Sequence, residues 1–222
     1  MNRDSKASAR SSWLVPIGLI VLSLLPVVAG TVRLVQLGGD APITPENARF
    51  IAAPVPVVLH ILCSIIYAIL GAFQFSPGFL RRNPKWHRLA GRVLIPSGLI
   101  VALSGLWMTL FFPLAKFDGP ARFDGPSLYV IRLLVGAAMT WFIVRGYLAI
   151  RKRDILRHRA WMMRGYALGL GAGTQVFTHI PWFLVPGIHG EFARTVCMAA
   201  GWAINLAVAE WLIVRSFRHG LA

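Results

Sequence analysis

Apolar residues along this chain fall into six runs, 13–32, 55–75, 89–113, 128–150, 161–180 and 193–214, parted by connections in which basic clusters alternate with turn formers. Each run is about 20 residues, which as helix at ~1.5 Å per residue matches the ~30 Å hydrocarbon layer of a bilayer. The pattern predicts an all-α polytopic membrane bundle, with a tail at 1–12, a six-helix transmembrane domain at 13–214 and a second tail at 215–222. Connections this short leave no room for a separate soluble domain. The run at 161–180 reads as one continuous span, with no pair of broken helices.

Polar residues inside the runs are ordered. His60, Ser64, Tyr67, Gly71 and Gln74 recur at steps of four and three, which puts them on one helical face. A face in contact with lipid has no use for such a stripe, so it is expected to point into the bundle. Arg164, Leu168, Gly171, Gln175 and His179 trace a related face on the fifth run. His87, Gly91, Gly98 and Gly105 give the third run a small-residue seam suited to close helix contact. Glu210, near the end of the last run, needs a cationic partner, for which Arg145 and Arg164 are candidates.

Composition agrees with the pattern: 56% of residues are apolar and mean hydropathy is +0.63. A net charge of +15 could mean nucleic acid, but the 23 Lys and Arg lie at the ends of apolar runs, not on one soluble face. Their distribution sets orientation instead. The tails and the connections after the second and fourth runs hold 17 of them, and the alternate segments hold Arg33, Arg49, Lys116, Arg122, Arg132 and Arg194. The positive-inside rule therefore predicts that both termini are cytoplasmic. The first run is longer than a usual signal-peptide core and reads as a retained anchor.

Turn chemistry marks the other connections. Phe117-Asp118-Gly119-Pro120 is echoed by Phe123-Asp124-Gly125-Pro126, which reads as two consecutive turns, since two aspartates are too few ligands for a divalent cation. Trp182, Phe183 and His189 read as interfacial anchors. Cys63 and Cys197 fall within runs and read as packed thiols. No nucleophile motif, phosphate loop or zinc spacing occurs, so hydrolases and nucleotide-driven pumps gain no support.

Depth sorts four histidines into two levels. His60 and His179 share the predicted outer level, and His87 and His158 start spans at the inner one. Paired imidazoles on different helices are what a di-haem cytochrome b uses as axial iron ligands. Haem b between His60 and His179 would then find Arg132 for its propionates, and an inner haem would find Arg88, Arg92, Arg159 and Arg164. Ordinary interhelical hydrogen bonding, or lipid phosphate binding at the inner level, accounts for the same residues without a cofactor.

His60, Gly71 to Phe75, His87-Arg88-Leu89-Ala90-Gly91-Arg92 and His158-Arg159-Ala160-Trp161-Met162-Met163-Arg164 together resemble the bacterial membrane proteins grouped as domain of unknown function 2306. The resemblance covers roughly residues 55–180. It implies a multi-pass protein of the bacterial cytoplasmic membrane whose activity is not established. Two functions stay open. One is a haem-binding electron-transfer protein with quinone as a candidate partner. The other is a non-enzymatic module that binds anionic lipid, a small molecule or a partner membrane protein.

Overall fold

The computed structural model describes residues 3–39, 42–112 and 120–218, with side chains omitted at 3–12, 77 and 120. Lys116, Asp118 and the first of the two Asp-Gly-Pro turns lie outside the described residues. Among the described residues every regular element is helical.

Five helices are long and apolar enough to cross a membrane: α1 (Arg3–Gly38, apolar over Trp13–Gly38), α3 (Pro54–Phe73), α5 (Pro84–Phe111), α6 (Pro126–Arg151) and α10 (Glu191–Arg218). Proline opens α3, α5 and α6, where the missing N–H removes a donor that would lack an intrahelical partner anyway. Short helices α2 (Ala48–Ala52) and α4 (Pro77–Arg82) and a 3₁₀ turn (Pro120–Phe123) occupy connections.

The fifth run departs from the expected single span. It is split at Leu170 into α7 (Ile155–Gly169) and α8 (Gly171–Thr178), and α9 (Ile180–Leu184) follows. Gly169 and Gly171 flank the break, and both are held by close packing. A side chain on Gly169 would meet the Tyr67 ring at 2.8 Å, and one on Gly171 would run into the Trp202 indole. The Ala167 carbonyl at the break accepts from Asn205 Nδ2 at 3.1 Å, and the same amide's oxygen accepts from the Thr174 hydroxyl at 2.6 Å. One α10 side chain thus bridges both halves of the broken helix, which meets the need of apolar surroundings that every backbone group find a partner.

Packing defines two ends of the bundle. At one, Trp13 of α1, Phe73 of α3, Phe79 of α4 and Trp86 of α5 form an aromatic cluster with ring centroids 4.9–6.2 Å apart. At the other, Arg33 of α1 lies over Phe50 of α2, and Phe50 meets Phe112 at 5.7 Å. Between them the core is built around Tyr67, Leu94, Val101, Met139, Ile143, Tyr166 and Leu168. The stripe on α3 points inward as expected: Tyr67 and Gly71 are buried, Gly71 lies under the Tyr166 ring, and the Tyr166 hydroxyl donates to the Ala68 carbonyl at 2.7 Å. The seam on α5 is only partly used. Gly98 packs under Tyr67 and Ile143 and Gly105 faces His60, but Gly91 has open space beside it.

Candidate functional site

Glu210 finds Arg164. The guanidinium donates through Nε and, at 2.8 Å, through Nη2 to the two carboxylate oxygens, a bidentate pair joining α7 to α10. Arg145 instead lies over Trp141 and Trp161, and Arg164 also covers Trp161 at 4.7 Å. Arg88, Arg92 and Arg159 are exposed at this end. His158 Nδ1 donates to the Gly146 carbonyl at 2.9 Å, and His87, within its electrostatic reach, keeps a buried Nδ1 without a hydrogen bond. Of the residues expected at the inner level, Arg164 is the one seen to pair with Glu210 among the described contacts.

At the opposite end the organising residue is Asp124, from the second Asp-Gly-Pro turn. Its carboxylate accepts from Arg132 Nη2 at 2.8 Å and from Arg194 Nε at 3.0 Å, and it is nearly buried. This single acid ties the 3₁₀ turn to α6 and α10. Arg194 continues the chain of contacts, donating from Nη1 to His179 Nε2 at 2.6 Å, while His179 Nδ1 donates to the Gln175 carbonyl at 2.7 Å. Those two bonds fix a neutral imidazole with both nitrogens in use. Trp182, expected as an interfacial anchor, is instead buried between Phe123 and His189, because the 3₁₀ turn folds over it. Phe183 and His189 are exposed.

His60 goes elsewhere. Its Nδ1 lies 3.0 Å from both the Val101 carbonyl and Ser104 Oγ. A carbonyl only accepts, so Nδ1 carries the proton and Nε2 is left as an acceptor. His60 lines an open cavity of about 480 Å³ bordered by α1, α2, α3, α5, α6, α7, α8 and α10. Its middle is apolar, with Ile65, Val101, Val135, Met139, Leu168 and Trp202 in the walls. Its charged lining, Arg49, Asp124 and Arg132, lies at the Asp124 end, and Ser23, His60, Ser64, Thr109 and Gln175 also line it. The break at Leu170 contributes directly, since Gly169, Leu170 and Gly173 are lining residues. Burial pushes the Arg49 guanidinium below its ordinary pKa, Asp124 opposes that, and Arg132 and Arg33 reinforce it.

A haem between His60 and His179 would need an open ring nitrogen on each. His179 has no open nitrogen and is absent from the cavity lining, and Arg132 is paired with Asp124. Among the described residues no three His, Cys, Asp or Glu side chains cluster as a metal site would require. Cys63 and Cys197 are free thiols, the second buried.

Sequence reasoning missed Asp124, Arg194, Arg49 and Trp202 as site residues. The available signal was scarcity: the chain has only 8 acids against 23 bases, and Asp124 sits two residues before a Pro-capped apolar helix.

Long apolar helices, inward-facing polar stripes and ion pairs at both ends of the bundle define a helical membrane protein. Residues 57–213 match the family described as Predicted membrane protein (DUF2306), and the chain belongs to that family. No curated protein and no solved structure matches it.

Proposed function

We propose that the protein is a membrane-embedded binding module that takes a small amphiphilic molecule into the cavity lined by His60. The observation that carries this reading is the cavity itself. Its volume of about 480 Å³ falls in the ~300–1,000 Å³ range of small-molecule sites. Membrane helices associate through close packing, because lipid gives them no hydrophobic drive toward each other. A void of this size forfeits such contacts unless something fills it. Apolar walls with charged groups at one end match a ligand that is apolar over most of its length and polar at one end.

The reading includes a topology. Six crossings, with α7 and α8 together making the fifth, and both termini in the cytoplasm of a bacterial cell are supported by the 17-to-six split of basic residues. The Asp124 end then faces outward. Reporter fusions after Arg122 and Arg153 test it, with an external signal expected from the first and an internal signal from the second.

Occupancy is tested by native mass spectrometry of the purified protein released from nanodiscs. Wild type is expected to retain a small-molecule adduct, and Ser64→Phe, which projects a ring into the cavity, to lose it. An adduct-free wild type, or equal retention by a folded Ser64→Phe variant, would overturn the reading.

A further inference from the structure

Resting on that reading, we infer that the occupant carries a hydroxyl group, as an alcohol or a phenol, which donates a hydrogen bond to His60 Nε2 and accepts one from the Ser64 hydroxyl.

The state of His60 is the first reason. Nδ1 carries the proton, because it lies 3.0 Å from the Val101 carbonyl, which can only accept. Ser104 Oγ, also 3.0 Å away, gives its own hydrogen to the Ile100 carbonyl and so accepts from Nδ1 as well. The two nitrogens of an imidazole point in nearly opposite directions, so with Nδ1 turned to α5 the Nε2 lone pair is directed away from that helix. Nε2 has no hydrogen-bond partner among the described residues, and His60 lines the cavity. It can accept a hydrogen bond there but cannot give one.

Ser64 is the second reason. Ser23, Ser97, Ser104 and Thr109 each return their hydroxyl hydrogen to the carbonyl four residues back, the usual local solution for a hydroxyl inside a helix. Ser64 makes no such bond among the described residues, and it too lines the cavity. It stands one turn after His60 on α3, where side chains four apart are neighbours and lean toward the helix N-terminus. An acceptor without a donor and a hydroxyl with its hydrogen still to give therefore share one wall.

Those two groups select among amphiphiles. An apolar tail gains nothing by exchanging lipid for a cavity of equal apolarity, so polar contacts must decide. A ketone, ether or ester oxygen would set acceptor against acceptor at His60. An N–H group could donate to His60 but would offer the Ser64 hydrogen no lone pair. A hydroxyl is donor and acceptor at once, and it spares both residues the cost of a polar group left unpaired in apolar surroundings. Ser23 and Thr109, whose hydrogens are spent on the Leu19 and Gly105 carbonyls, add only further lone pairs to the lining.

The test compares two isomers. Dodecanol and methyl undecyl ether have the same atoms and nearly the same length, but only the alcohol can donate. Equilibrium binding of each, radiolabelled, is measured on the full chain in zwitterionic nanodiscs, with protein-free discs subtracted and affinity expressed against the concentration of probe within the disc. Dodecanol is expected to bind about tenfold tighter, the factor for roughly one hydrogen bond gained. His60→Phe, which keeps a ring and loses the acceptor, should erase that preference without weakening the ether. Ser64→Ala leaves the bonds of His60 to α5 intact, so it decides the matter if His60→Phe does not fold, and it should cut the preference about threefold. Equal binding of the two isomers, or a preference that Ser64→Ala leaves undiminished, would overturn the hydroxyl and leave the cavity reading standing. No binding of either probe above empty discs would remove both.

Discussion

Replacing Asp124 with Asn changes little volume and removes the one negative charge that Arg132 and Arg194 share. The Asp124 and Arg194 side chains are 8% and 13% exposed, and Arg132 is 30% exposed, so the two pairs differ in how much solvent screens them. Breaking a buried pair by removing one partner costs ~3–5 kcal/mol, while an exposed pair contributes ~0–1. The Arg194 pair sits near the first limit and the Arg132 pair nearer the second. Asn can still accept one hydrogen bond, which recovers part of the loss. Asp124→Asn is therefore expected to destabilise the protein by ~2–4 kcal/mol. In double-mutant cycles its coupling should be ~1.5–3 kcal/mol to Arg194→Gln and ~1 kcal/mol or less to Arg132→Gln. Steric-trapping measurements of unfolding in bicelles supply these values. A loss under ~0.5 kcal/mol, or a larger coupling to Arg132 than to Arg194, would show that Asp124 does not hold this end of the bundle together.

Three further predictions concern the scaffold. Glu210→Gln and Arg164→Met should be non-additive by ~1–2 kcal/mol, a value kept low because the Glu210 side chain is 42% exposed, and strict additivity in unfolding cycles would contradict the bidentate pair. Two glycines of α5 should respond oppositely to alanine. At Gly98 a Cβ would meet Tyr67 at 2.6 Å and Ile143 at 2.8 Å, costing ~1–3 kcal/mol by overpacking, whereas Gly91→Ala meets nothing and should be neutral or stabilising by up to ~1 kcal/mol; equal effects in thermal melts would refute the packing. Asn205→Leu strips the Ala167 carbonyl and the Thr174 hydroxyl of their partner, so a loss of ~1–2 kcal/mol is expected, with faster amide exchange around Gly171; unchanged exchange there would argue against a bridging role.

Features that a single helix carries in its own periodicity were legible in the sequence. The α3 stripe needed only three- and four-residue spacing to point Tyr67 and Gly71 into the core, and Glu210 needed only its cost in lipid to imply an arginine. Features decided by which helices meet were not. Gly91 and Gly98 look alike in sequence, and what differs is that Tyr67 and Ile143 lie over one and open space beside the other. His60 and His179 share a predicted depth, but depth says nothing of azimuth around the bundle. The first turns toward α5 and the cavity, the second toward Arg194. The break at Leu170 was hidden because its neighbours are apolar and no proline marks it. Only the Asn205 side chain of α10 and the rings pressed on Gly169 and Gly171 show why the helix divides there.

The most direct measurement of the central claim is where a photoreactive ligand attaches. The full chain in nanodiscs is illuminated with a dodecanol carrying a tail diazirine, and labelled peptides are mapped by mass spectrometry. A cavity that binds this amphiphile predicts saturable labelling at Ile65, Val101, Met139, Leu168 or Trp202, competed away by unlabelled dodecanol and lost in Ser64→Phe. Labelling confined to outward-facing Leu62, Leu103 and Leu134, without saturation or competition, would mean that the probe meets the protein only as bulk lipid and would contradict the account.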